Sequence, residues 1–144
     1  MTLEIIATAC AGLFAGAAIY VNAVEHPARL AAGIALALRQ FAPSYRRGTI
    51  MQASLASLGC LAGVGAWLQT GHIGLLVGGL LLGAVVPFTL VVIFPTNRRL
   101  LDPGLDPQSP EAAALLVRWG RLHAVRSASS ALAFGILLIC MAQT

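Results

Sequence analysis

The chain has 144 residues, 58% of them hydrophobic and 10% charged, with a mean hydropathy of +0.86, where an ordinary soluble domain carries about 25% charged residues. This composition excludes a water-soluble globule and suits a single integral membrane domain, residues 1–144. The net charge of +4 and pI near 9.6 would fit a nucleic-acid partner only if the basic residues formed a soluble face; they are nine arginines flanking apolar runs, so no nucleic acid is expected.

A helix crossing a hydrocarbon core about 30 Å thick needs about 20 mainly apolar residues, each rising about 1.5 Å. Four stretches qualify, at about 3–24, 49–68, 73–94 and 124–141. Lipid offers backbone groups no water to bind, so all four are predicted to be helical. The fold class is therefore all-α, a transmembrane four-helix bundle.

The first span opens with Glu4 rather than a positive charge. Despite its small-residue run Ala15-Gly16-Ala17, it is expected to be an uncleaved helix and not a secretory signal. After it, residues 28–41 carry Leu30, Ile34, Leu38 and Phe41 at helical spacing, which predicts a short interfacial helix in the first cytoplasmic loop. The second span leads to a tight turn, Gln69-Thr70-Gly71-His72, in which His72 reads as a polar loop residue. Pro87 in the third span is tolerated as a kink. Pro103, Gly104 and Pro107 then interrupt regular structure, and Ser109-Pro110-Glu111 reads as N-cap, first helical residue and first-turn acid. The last helix is thus expected to start near 110, outside the membrane.

Gly12 and Gly16, and Gly59 and Gly63, permit close helix approach in lipid. Pro27-Ala28-Arg29-Leu30 echoes Pro95-Thr96-Asn97-Arg98 too loosely to establish an internal repeat. Cys10, Cys60 and Cys140 lie in apolar runs without metal-site spacing and read as small buried hydrophobes. Whether Cys10 and Cys140 pair is left open.

Arg29, Arg39, Arg46 and Arg47 follow the first span, and Arg98, Arg99, Arg118 and Arg121 lie between the third and fourth. Positively charged short loops stay cytoplasmic. Both longer loops are therefore expected inside and both termini outside, in the inner (plasma) membrane of a bacterium.

Three helices deliver reactive groups to one depth: Asn22, Glu25 and His26 end the first, Asn97 follows the third, and Trp119, His123 and Arg126 open the fourth. Trp119, His123, Arg126 and Ser130, spaced by four, three and four, share one helical stripe. Lipid penalises such a stripe, so Arg126 is expected to face the bundle with Glu25 as its counter-charge. The plain alternative is that Arg29, Arg118, Arg121 and Trp119 only anchor helix ends at the interface.

The runs Tyr20-Val21-Asn22-Ala23-Val24-Glu25-His26-Pro27-Ala28-Arg29, Pro95-Thr96-Asn97 and Trp119-Gly120-Arg121-Leu122-His123-Ala124-Val125-Arg126 resemble those of the anthrone oxygenase-like family of small four-helix membrane proteins. Some fungal members of that family are implicated in oxidising anthrones to anthraquinones. The resemblance implies a small, flat, apolar phenolic or anthrone-like substrate, with molecular oxygen as co-substrate and no resident cofactor. On this reading His26 or His123 removes a proton, Arg126 stabilises the resulting anion, Asn97 orients a substrate oxygen, and Glu25 fixes a histidine tautomer or neutralises Arg126. Asn22, Trp119 and Ser130 would contact the substrate. A weaker version places iron or copper on Glu25, His26 and His123, although adjacent residues point about 100° apart on a helix. The competing reading is a non-catalytic membrane scaffold or accessory subunit, and homo-oligomerisation stays open in either case. Midspan polar groups such as Ser54, Ser57 and Thr89 are few, which argues against a transporter. No phosphate loop, dinucleotide fingerprint or Ser-His-Asp elbow is present.

Overall fold

A computed structural model describes residues 1–143, which contain helices and turns and, among the described residues, no strand. Four helices are long and apolar enough to cross a membrane: α1 (Thr2–Ala31), α2 (Ile34–Thr70), α3 (Ile73–Leu100) and α4 (Pro110–Ala142). The chain is a multi-pass membrane protein. The helices pack in the ring α1–α2–α3–α4, with little contact across the diagonals. With 28 to 37 residues each, at about 1.5 Å per residue they exceed the roughly 30 Å of hydrocarbon by a few turns. That excess gathers at the arginine-rich end.

The helical run expected at residues 28–41 is not an element of its own. Residues up to Ala31 complete α1, the chain breaks at Ala32 and Gly33, and the remainder begins the continuous α2. Gly33 has φ +101, a conformation that costs glycine little and ends α1 sharply. Pro43 lies inside α2 without ending it.

Both α1 and α3 carry a π turn, Val21–Glu25 and Thr89–Ile93, and each is followed two residues later by a proline, Pro27 and Pro95. The cause is local. A proline has no N–H for the carbonyl four residues back and its ring crowds that carbonyl. The turn before it widens, so that the His26 N–H reaches Val21 O and the Phe94 N–H reaches Thr89 O, five residues back. The loose sequence echo between the two hairpins is thus an echo in backbone geometry. Pro87 coincides with a lesser interruption at Ala84.

Small residues set the helix spacing. A Cβ on Gly63 would lie 2.8 Å from Gly79 Cα, and one on Gly59 would meet Leu82 and Cys10, so α2 and α3 approach backbone to backbone. Gly12 packs on the Phe134 ring, whereas Gly16 has nothing within 4 Å. Cys10 is a buried free thiol, and Cys140 lies against Gly74; both act as small packing groups.

The core has two apolar layers. One holds Phe14, Leu75, Leu82 and Leu137 among many alanines. The other, toward the arginine-rich end, holds Phe41, Ile93, Leu100, Leu105, Leu116 and Trp119. Leu105 comes from the loop before α4, which is held down by Arg99: its guanidinium binds both Glu111 oxygens, at 2.7 and 3.0 Å, and Asp102. Ser109 Oγ accepts the Ala112 N–H at 3.1 Å and caps α4.

Candidate functional site

Beside the second layer, sharing Phe41 and Trp119 with it, a cavity of about 520 Å³ is lined by α1, α2 and α4, within the range of small-molecule sites, about 300–1,000 Å³. Its aromatic wall is Phe41, Tyr45 and Trp119, and its polar groups include Glu25, Arg29, Gln52, His123 and Arg126. Trp119 is the hub. Its ring meets Phe41 edge-on at 5.4 Å, His123 at 4.8 Å and His26 at 5.1 Å, with the Arg29 guanidinium 5.9 Å above it.

His123 sits on the inner stripe of α4 and is nearly fully buried. Its Nδ1 lies 2.7 Å from Asn22 Oδ1, which also accepts from Ser127 Oγ at 2.6 Å. The Asn22 amide nitrogen donates to Gly120 O at 3.0 Å. Asn22 does not line the cavity, so the expectation that it touches substrate is replaced by contact with His123 from behind.

His26 is placed differently from His123. It does not line the cavity; its Nε2 lies 3.0 Å from Leu116 O, and because a carbonyl only accepts, that nitrogen carries the proton. Nδ1 is buried without a partner. The approach is permitted by Gly120, where a Cβ would come within 2.7 Å of the imidazole.

Glu25 is not the counter-charge of Arg126. It pairs with Arg29 on its own helix, and Ser44 of α2 donates to it at 2.9 Å. Adjacent residues diverge around the helix: Asn22, in the π turn, and His26, just after it, bond to α4, while Glu25 bonds to Ser44 of α2. Arg126 instead donates to Gln52 Oε1 at 2.8 Å and lies 5.5 Å from the Phe14 ring centroid. Among the described residues no carboxylate pairs with it.

Asn97 is buried with Oδ1 unpartnered, but lies outside the cavity lining. Ser130 is likewise buried away from it, donating to Ser127 O at 3.1 Å. Asn97 shares the depth of the cluster but not its face, whereas Ser130 keeps the inward face of its stripe and lies one turn beyond Arg126, past the lining. The Glu25, His26 and His123 set does not fit a metal: Glu25 is engaged by Arg29 and Ser44, His26 Nε2 by a carbonyl, and among the described residues no three His, Cys, Asp or Glu side chains group as ligands.

Sequence reasoning missed α2, which supplies Phe41, Ser44, Tyr45 and Gln52. The available signal was Gln52 itself, a buried amide inside a predicted span, which lipid penalises much as it does an arginine.

The family model for anthrone oxygenase matches residues 41–136. The anthrone oxygenase tpcL of Aspergillus fumigatus is 37% identical over 98 residues, covering 62% of this chain and 61% of that protein's length. No solved structure matches the chain. The family match takes in the α2 and α4 walls of the cavity, with Tyr45, Gln52, Trp119, His123 and Arg126, and by this match the chain belongs to the anthrone oxygenase family.

Proposed function

We propose that the protein is a membrane oxygenase of a flat, apolar phenolic or anthrone-like substrate, with molecular oxygen as co-substrate. The observation that carries this reading is the aromatic-walled cavity lined by the His123 imidazole and by the Arg126 guanidinium, which is held inside the bundle by Gln52 and has no carboxylate partner among the described residues. A planar substrate stacks against Trp119 and Phe41. His123 takes a proton from the carbon to be oxidised, and Arg126 holds the phenolate or enolate oxygen that forms. Electrons pass from that anion to oxygen. For an anthrone, one oxygen atom ends as the new carbonyl, and the other leaves as water with the two methylene hydrogens.

The cavity rim includes Tyr20 and Met51, both exposed on the bundle flank between α1 and α2. An apolar substrate dissolved in the bilayer enters there. By the arginine asymmetry the cavity lies on the cytoplasmic side, with both termini outside, in the inner membrane of a bacterium.

Oxygen uptake and quinone absorbance, measured on detergent-purified protein supplied with an anthrone, test the reading. His123→Ala is expected to lose about 10²–10⁴-fold in turnover, the usual contribution of a general base, and His26→Ala far less. Unchanged turnover in His123→Ala would remove the proposed base.

A further inference from the structure

We propose that Asn22 is a positioning residue: its carboxamide holds His123 as the Nδ1–H tautomer, leaving Nε2 as the nitrogen with a free lone pair. The inference rests on His123 being the base, and it adds how α1 governs which nitrogen does the work.

The chain of constraints starts at a backbone carbonyl. Gly120 O can only accept, so the Asn22 group 3.0 Å from it is the amide nitrogen. That fixes the amide orientation and turns Oδ1 toward His123 and Ser127. Oδ1 is also an acceptor only, so the Nδ1 at 2.7 Å must bring the hydrogen. In the neutral imidazole the proton is then absent from Nε2. Ser127 donates to the same oxygen at 2.6 Å, which keeps Oδ1 from swinging toward another donor.

The arrangement has a backbone origin. Asn22 lies in the π turn that precedes Pro27, and the carbonyl that orients it belongs to Gly120, the same residue whose missing side chain admits His26. Two polar residues of α1 are thus registered on one turn of α4. Because the partner oxygen is an amide and not a carboxylate, the imidazole is oriented without a fixed negative charge behind it. After proton uptake at Nε2, the Nδ1–H bond to Oδ1 persists and supports the imidazolium.

Nitrogen-15 NMR of the full-length protein in detergent, labelled at its three histidines, reads the tautomer directly, with His26→Gln and His72→Gln assigning the signals. The expected result is Nδ1–H for His123 in the wild type and in Asn22→Asp, which keeps the acceptor, and a shift toward Nε2–H in Asn22→Leu. With an anthrone, Asn22→Leu should lower kcat by about 10²-fold with KM within about twofold, and Asn22→Asp should restore part of the loss. An Nε2–H tautomer in the wild type, or an unaltered Nδ1–H in Asn22→Leu, overturns the proposal. If Asn22→Leu does not fold, Asn22→Ala is read in its place, with the same two outcomes. Nδ1–H in the wild type and its shift in Asn22→Leu, together with no turnover of an anthrone, overturn the oxygenase reading while upholding the role of Asn22 in setting the tautomer.

Discussion

The Arg126 guanidinium donates to Gln52 Oε1 at 2.8 Å, joining α4 to α2 across the cavity. An amide satisfies one N–H of the guanidinium and leaves its charge uncompensated, so an anionic oxygen entering the cavity finds an unpaired cation. Gln52→Glu supplies that anion permanently. The variant is expected to melt at the same temperature as the wild type or higher, and to turn over an anthrone at least about tenfold more slowly, a barrier increase of about 1.4 kcal/mol. Thermal unfolding and oxygen uptake on the same preparation check both halves.

Glu25 and Arg29 form a pair in which the arginine is almost wholly buried. Removing one member strands the other, which costs about 3 kcal/mol or more when a buried pair is broken. Glu25→Ala should therefore lower the melting temperature in detergent markedly. The double variant Glu25→Ala with Arg29→Leu should recover much of that loss, because no charge is left behind.

Gly120→Ala places a methyl group 2.7 Å from the His26 ring. The imidazole must retreat from Leu116 O, and the overpacking costs about 1–3 kcal/mol. The same methyl group strains the turn that orients Asn22, so turnover is expected to fall more than in His26→Ala. A Gly120→Ala variant as stable and active as the wild type would contradict the close packing of α1 on α4.

The loop before α4 carries a carboxylate whose titration has a defined sign. The Gly104 N–H at 2.9 Å, and then Arg99, hold the Asp102 carboxyl below its ordinary range. A depressed folded pKa contributes stability above the unfolded value, about 4, and that contribution is lost as the pH falls through the folded value. Asp102→Asn should make the 101–109 loop more readily cleaved by protease at pH 7, and should flatten the change in cleavage that the wild type shows below about pH 4.

Much of the architecture is legible in the residues. Four apolar runs of membrane-spanning length give the helices, Ser109-Pro110-Glu111 marks where the last one begins, and the spacing of Trp119, His123 and Arg126 puts them on one inward stripe. What the sequence hides is rotation about α1. Glu25 and His26 are adjacent and diverge around an ideal helix, and although Pro27 marks the turn before it as one that can distort, the residues do not say which of the two is then carried to α4. Asn97 lies outside the lining for a related reason, since depth along a helix is additive and easily counted, whereas facing depends on how neighbouring helices are turned; Ser130 keeps its inward face and lies one turn too deep. Gln52 is less visible in the sequence than an arginine because it carries no charge to mark the span, though its burial carries a comparable demand for a partner.

The π turn in α1 divides that helix into two angular frames joined at residues 21–25. Everything before it keys into the alanine-rich layer, and everything after it, His26 and Arg29 included, is indexed by one additional residue. Deleting a single residue there would leave the preceding half of the helix in register and rotate the half bearing His26 and Arg29 by about 100°, so the polar end can be re-aimed without repacking the alanine-rich layer.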